Sequence, residues 1–150
     1  MKQLIQNFKT GDLYVDELPA PSLSNAMVLV ENEFSLISAG TEKGTVKVAQ
    51  SSLIGKAKQR PDLVAQVLQN IKKEGLMATL EKVRTKLDSL KALGYSTAGV
   101  VKASMDTNGK FKVGDRVACA GQDFASHAEV VAIPQNLVVK IPDNVSFEEA

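Results

Sequence analysis

Residues 93–142 read LGYSTAGVVKASMDTNGKFKVGDRVACAGQDFASHAEVVAIPQNLVVKIP, and this stretch decides the fold. It contains four short apolar, β-branched runs separated by turn residues. The runs are 98–101, 117–119, 130–133 and 138–139, and the turn residues are Asn108–Gly109, Gly114–Asp115, Gly121 and Pro134. None of these strands is long enough to be stable alone, so the pattern predicts a small, strongly bent barrel or sandwich closed by tight turns.

The same stretch carries a family resemblance. Residues 112–117 read KVGDRV, and a glycine, an AEVV strand and the phrase LVVKIPDNVSFEEA at 137–150 follow. This order resembles the GroES-like N-terminal domain of the medium-chain dehydrogenases/reductases, the superfamily of zinc-type alcohol dehydrogenases and quinone reductases. The resemblance covers residues 1–44 and 93–150. It implies a fold that is mainly β with α, a GroES-like bent β-barrel that forms the substrate-side domain of an oxidoreductase.

The residues before this stretch fit the start of such a barrel. Residues 2–7 and 12–17 alternate loosely around a turn at 9–12 and predict a hairpin. Residues 27–37 predict one long strand, which leads into a loop at 38–44.

Two positions where zinc-dependent relatives carry metal ligands differ here. The expected Cys-Gly-Thr-Asp is matched by Ala39, Gly40, Thr41 and Glu42, and the expected Gly-His-Glu is matched by residues 94–96, which read GYS. A methyl group and a phenol thus replace a thiolate and an imidazole, the ligands that zinc prefers. The cysteine-rich lobe of many relatives is absent as well. We therefore expect a domain without zinc or any other metal.

Without zinc, another group must stabilise the negative charge that develops on a carbonyl or alkene substrate. The resemblance places Tyr95 and Thr41 at the rim of the family's substrate cleft, and both can donate a hydrogen bond to an oxyanion. We expect these two residues to be the catalytic candidates. The alternative is structural: Tyr95 packs at the entrance of a strand, and Thr41 caps the next helix.

Residues 45–92 depart from the family pattern and predict a helical insert. Apolar residues recur at helical spacing after Pro61 and again from Leu76 to Leu90, with Gly75 between the two runs, which predicts an αα-hairpin. The segment 45–59 predicts a third helix. The insert could serve as a lid, as a surface for a partner or second subunit, or only as a helical pair packed on the barrel.

Composition excludes several classes of partner. The formal net charge is +1 and 23% of residues are charged, so neither nucleic acid nor a membrane is indicated. The basic residues of the insert are interleaved with acids and lack aromatic neighbours, which favours a solvated face. Cys119 and His127 are single, and their sequence context favours a buried thiol and a hydrogen-bonded, structural histidine. No signal peptide is indicated, so we expect a cytoplasmic protein.

The last residues indicate that the chain continues. Ser146 and the acids after it predict the first turn of a helix, and one turn has no stability of its own. We found no glycine-rich nucleotide motif, so we expect a Rossmann domain after residue 150 to hold NAD or NADP and the isolated chain 1–150 to be inactive. The combination of features resembles a zinc-lacking subgroup, sometimes fused to Gfo/Idh/MocA-type domains, which implies small-molecule substrates in sugar or polysaccharide pathways.

A second hypothesis remains open beside the oxidoreductase. The barrel could be a scaffold that presents the helical insert for protein contacts, including the formation of a homo-oligomer. A co-chaperone role by analogy with GroES is remote, because the fold alone carries no function.

Overall fold

The computed structural model describes residues 1–59, 61–87 and 90–150. They form two compact units. The strand unit comprises 1–4, 15–37 and 92–150, and the helical unit comprises 5–14 and 38–91. No helix among the described residues combines the length and the apolar character that crossing a bilayer requires.

The elements follow the order that the sequence predicts for a mainly β chain with a helical insert. They are β1 (Lys2–Asn7), β2 (Leu13–Glu17), β3 (Met27–Ser35), α1 (Ala39–Gln50), α2 (Leu53–Gln59), α3 (Pro61–Glu74), α4 (Leu76–Leu87), β4 (Leu90–Ala92), β5 (Ser96–Ser104), β6 (Arg116–Ala120), β7 (Val130–Pro134), a 3₁₀ turn (Gln135–Leu137) and β8 (Val138–Lys140). The predicted strands at 2–7, 12–17 and within 93–142 are thus confirmed, and the strand predicted at 27–37 ends two residues earlier, at Ser35.

The strands form two sheets. One has the order β2-β1-β4, and the other has the order β7-β3-β5-β6-β8 with every neighbouring pair antiparallel. In the five-stranded sheet β5 is central, with Val30 of β3 opposite Val101 and with Val117 of β6 opposite Gly99. Two irregularities in the β3–β5 register add local bends.

The core of the strand unit lies on one face of this sheet. Alternate residues of each strand point inward, so the period-2 pattern of the sequence supplies the apolar face. Six residues of this core have no exposed surface: Val28, Val30, Val101, Val117, Ala125 and Ile133. Phe111, Cys119, Val131 and Val138 belong to the same cluster, with exposures of 6% or less.

The KVGDRV motif forms a tight turn into β6. Gly114 has φ +90°, which favours glycine, and the backbone N–H of Gly114 donates to Val101 O at 2.9 Å. The Asp115 carboxylate accepts from Lys112 N at 2.8 Å and from Lys140 Nζ at 2.6 Å. These donors, first the Lys140 ammonium and then the Lys112 amide, lower the pKa of Asp115.

We expect Asp115→Asn to lower the free energy of unfolding by about 1 kcal/mol at neutral pH. The folded-state pKa of Asp115 is depressed, so its contribution is present above the unfolded value near about 3.9 and is lost as pH falls through the lower folded value. Denaturant titrations at a series of pH values should therefore show the wild-type and variant stabilities converging in acid. Asp143→Asn, at an exposed position, is the control and should show no such convergence. A pH-independent difference for Asp115→Asn would contradict the carboxylate's role.

The segment 38–59 differs from its prediction. The expected loop at 38–44 is the start of α1, because Ser38 is the N-cap and its Oγ accepts from Thr41 N at 3.4 Å. The expected single helix at 45–59 is divided after Gln50. Ser51 Oγ donates to Lys47 O at 2.7 Å, and Ser52 Oγ accepts from Gly55 N at 3.2 Å, so these hydroxyls satisfy the backbone of two separate helix ends.

The predicted αα-hairpin is confirmed as α3 and α4. Gly75 joins the two helices with φ +87°, and its N–H donates to Ile71 O at 3.0 Å while its carbonyl accepts from Thr79 Oγ1 at 2.8 Å. The extension of the second helix to Leu90 is wrong, because Leu90 begins β4 and tertiary pairing overrides the helical spacing. Arg60 directly precedes α3 in the sequence, and Asp88 directly follows α4. Both residues lie outside the part of the chain that the structure describes.

One lysine of the expected solvated face is buried. Lys56 is 9% exposed, and its Nζ donates to Phe8 O at 2.6 Å and to Lys9 O at 3.3 Å. The ammonium also lies 5.0 Å from the centre of the Phe8 ring. Burial lowers the pKa of Lys56, and the two carbonyls supply the hydrogen bonds that a buried charge needs.

Candidate functional site

Tyr95 lies in the strand unit immediately before β5. It is half-buried, and its carbonyl accepts from Gly121 N at 2.8 Å. The neighbouring residue Leu93 is held in the same way, because its carbonyl accepts from His127 N at 2.7 Å. The described residues supply no hydrogen-bond partner for the Tyr95 hydroxyl. Hydrogen bonds to neighbouring backbone groups therefore hold the main chain at the entrance to β5, where Tyr95 lies.

Gly94 determines how the chain enters this position. Its φ is +103°, and a Cβ there would lie 2.6 Å from His127 N and 3.0 Å from Ser126 Cα. Only glycine combines this dihedral angle with so close a backbone approach. The Gly94-Tyr95 pair that the sequence singled out thus has a structural reason as well as a chemical one.

Thr41 lies in the helical unit, in the first turn of α1. Its N–H donates to Ser38 Oγ at 3.4 Å, and its own Oγ1 accepts from Ser38 Oγ at 3.3 Å. Glu42 Oε1 accepts from Ser38 N at 3.4 Å, which completes a reciprocal cap of the capping-box type. The alternative role for Thr41 was to cap this helix. The N-cap is Ser38 instead, and Thr41 belongs to the first turn that Ser38 caps. Tyr95 and Thr41 belong to different units.

The side chains at the expected metal positions do not fit zinc. Ala39 and Tyr95 stand where a thiolate and an imidazole would be required. Among the described residues, no three histidine, cysteine, aspartate or glutamate side chains are grouped as a metal site would need. No catalytic step through a metal follows from this donor set.

Cys119 and His127 have the environments that the sequence predicts, a buried thiol and a hydrogen-bonded imidazole. Cys119 is 3% exposed in the core, and burial raises the pKa of its thiol to about 12, so it is a protonated thiol at neutral pH and not a nucleophile. His127 is half-buried, and its Nδ1 lies 2.8 Å from Ser35 Oγ.

Sequence reasoning missed an open depression of about 360 Å³ in the strand unit. Its lining includes Lys2, Val15, Glu33, Phe34, Ser35 and His127. Stretches far apart in sequence meet there, and neither Tyr95 nor Thr41 lines it. The sequence offered one signal for this depression, the apolar residues Val15 and Phe34 in predicted strands. The structure leaves their side chains 62% and 46% exposed.

Comparison with known proteins finds local sequence similarity to a few curated proteins and the same fold in several solved oxidoreductases. No family model matches it. The mouse synaptic vesicle membrane protein VAT-1 homolog-like is 42% identical over 57 residues, which are 38% of this chain and 13% of that protein. A quinone oxidoreductase of Pseudomonas aeruginosa is 38% identical over 58 residues, 39% of this chain and 18% of that protein. The chain thus aligns with less than a fifth of the length of these curated relatives.

Solved structures match nearly the whole chain. A probable oxidoreductase from Mycobacterium abscessus has a TM-score of 0.65 at 18% identity, over 100% of this chain and 38% of that one. The quinone oxidoreductase of Thermus thermophilus, also solved with NADPH, has a TM-score of 0.58 at 18% identity, over 99% and 35%. The resemblance to the medium-chain dehydrogenases/reductases and the predicted GroES-like fold class are confirmed.

Proposed function

We propose that residues 1–150 are the substrate-side domain of a longer NAD(P)-dependent oxidoreductase that uses no zinc. The fold shared with quinone oxidoreductases supports the reaction class. The chain covers 35% to 38% of the two solved structures described above, which leaves room for a Rossmann domain after residue 150. As part of the same proposal, the protein acts in the cytoplasm on a small molecule of the sugar or polysaccharide pathways.

The observation that carries the proposal is the Tyr95 phenol on a fixed backbone. Gly94 and Gly121 hold the residue by a close approach and by a hydrogen bond, and the described residues leave its hydroxyl without a partner. A pre-positioned donor costs little reorganisation when charge develops on a substrate oxygen. The sequence resemblance, which matches Tyr95 to a zinc-ligand position of the zinc-dependent dehydrogenases, supports the same proposal.

The chemistry follows from this placement. A reduced nicotinamide, when bound, supplies a hydride to a carbonyl or conjugated alkene. The new C–H bond uses the hydride's electron pair, and the π electrons move to the substrate oxygen. Tyr95 donates a hydrogen bond to that oxygen and can supply the proton that completes reduction. Thr41 is the second proposed donor, since Ser38 can donate in the Ser38–Thr41 contact and leave the Thr41 hydroxyl proton for a ligand.

We expect Tyr95→Phe, in the longer protein, to lower kcat about 10²-fold with unchanged nicotinamide affinity, because one oxyanion donor is lost. The measurement is NADH and NADPH turnover against a panel of carbonyl compounds and sugars. Tyr14→Phe is the matched control, since Tyr14 is the other tyrosine, and it should retain full activity. Full activity in Tyr95→Phe would remove this residue from the mechanism. Failure of the longer protein to bind either NADH or NADPH would overturn the proposal that it is an oxidoreductase.

Two further measurements test the remaining parts of the proposal. Turnover should survive exhaustive chelation, and loss of activity that zinc restores would overturn zinc independence. The isolated chain 1–150 should show no turnover, since the nucleotide site lies outside it.

A further inference from the structure

The ionisable side chains are divided unequally between the two units. The helical unit contains twelve lysines and arginines against six aspartates and glutamates, a formal charge of +6. The strand unit contains six against eleven, a formal charge of −5. The formal net charge of the whole chain is only +1 and indicated no charged partner. This total conceals the separation of charge between the two units.

The same helical unit leaves an apolar surface open. Leu68 of α3 and Leu76, Met77 and Leu80 of α4 are 57%, 56%, 80% and 54% exposed. Spacings of one and four residues place the three α4 side chains on one face of that helix. Val67 and Ile71 of α3, in contrast, are half-buried. We call Leu68, Leu76, Met77 and Leu80 the apolar face.

Exposed cations accompany the apolar face. Lys72 and Lys73 lie in the last turn of α3. Arg84 lies four residues after Leu80 in α4, so these two residues occupy neighbouring turns on one face of that helix. Other cations are engaged within the unit: Lys56 is buried against backbone carbonyls, and Lys82 pairs with Glu74. Lys72, Lys73 and Arg84 therefore supply positive charge around apolar side chains.

We propose that the α3–α4 hairpin binds the surface of an anionic lipid bilayer. Apolar side chains on one face and lysine or arginine nearby are the features by which amphipathic helices lie in a bilayer interface. The hairpin itself, residues 61–87, contains five lysines and arginines against three aspartates and glutamates, a formal charge of +2. Phosphatidylserine-type headgroups complement this positive charge, and juxtamembrane cations strengthen such binding. Residues 38–91 contain no aromatic residue, so the stacking platform of single-stranded nucleic-acid binders is absent from this segment.

The experiment is co-sedimentation of the chain with vesicles. Phosphatidylcholine vesicles containing phosphatidylserine should bind it, whereas vesicles of phosphatidylcholine alone should not. Binding should weaken as salt rises, because exposed charges are screened over a Debye length.

Matched substitutions separate charge from apolar contact. Lys72→Gln with Lys73→Gln should weaken binding about 25-fold, or about fivefold per lysine. The control, Lys110→Gln with Lys112→Gln, makes the same change in total charge at exposed lysines of the strand unit and should have no effect. Met77→Gln should weaken binding about tenfold, whereas Val113→Gln, at a 71% exposed valine of the strand unit, should not. Circular dichroism verifies that each variant is folded.

Several results would overturn the proposal. They are binding to neither kind of vesicle, equal binding to both, or equal effects of the helical-unit variants and their controls. Light scattering without vesicles tests the competing occupant, a second copy of the chain. A mass that falls from dimer to monomer on Met77→Gln would assign the apolar face to self-association instead of lipid.

Discussion

Gly99→Ala is expected to destabilise the chain by about 4 kcal/mol or more, a large share of the 5–15 kcal/mol that holds a typical domain folded. Gly99 lies in the central strand β5, opposite Asn32 of β3 and Val117 of β6. A Cβ at this position would lie 2.0 Å from Glu31 O and 2.9 Å from Asn32 Cα. Because both atoms are backbone, no side-chain rotation relieves the contact, and the two strands must separate.

The measurement is urea unfolding followed by far-ultraviolet circular dichroism, since the chain contains no tryptophan. Gly44→Ala is the matched control: Gly44 lies in α1, and an added Cβ meets nothing within 4 Å. Alanine favours a helix over glycine, so this control should be up to about 1 kcal/mol more stable. Equal stability of Gly99→Ala and wild type would contradict the close approach of β3 and β5.

Ile133→Ala is expected to cost about 4 kcal/mol, the second largest effect. Ile133 has no exposed surface, lies opposite Val28 in the β3–β7 pair and belongs to the core cluster of the strand unit. The substitution removes buried apolar contacts and leaves a cavity, and core Ile→Ala changes cost roughly 2–5 kcal/mol.

A graded series tests the cavity explanation. Ile133→Val, which removes one methylene group, should cost about 1 kcal/mol. Val139→Ala, at a 57% exposed strand position, should lie within about 0.5 kcal/mol of wild type. If Ile133→Ala and Val139→Ala have similar unfolding midpoints, the assignment of Ile133 to the core is wrong.

The candidate site was only partly predictable. Tyr95 and Thr41 were selected because they stand at positions where relatives carry other groups, and their catalytic roles remain proposals. The depression beside Ser35 and His127 was missed, because its walls come from four separated stretches of chain. A hydrogen-bonded His127 was predicted, but its partner Ser35, 92 residues away in sequence, was not.

Sequence alone determined the elements whose signals are local. Alternation identified β3, β5 and β7, Pro61 and Gly75 marked the limits of α3, and the zinc positions could be judged from residue types. Tertiary structure decided what depends on distant backbone. Leu90 continues a helical spacing but pairs in β4, Lys56 reads as a solvated cation but is buried at Phe8 and Lys9, and Gly99 is required only because Glu31 approaches it. The physical reason is that periodicity reports which face of an element is apolar, whereas close approach, burial of charge and the division of charge between units arise only when separated segments pack together.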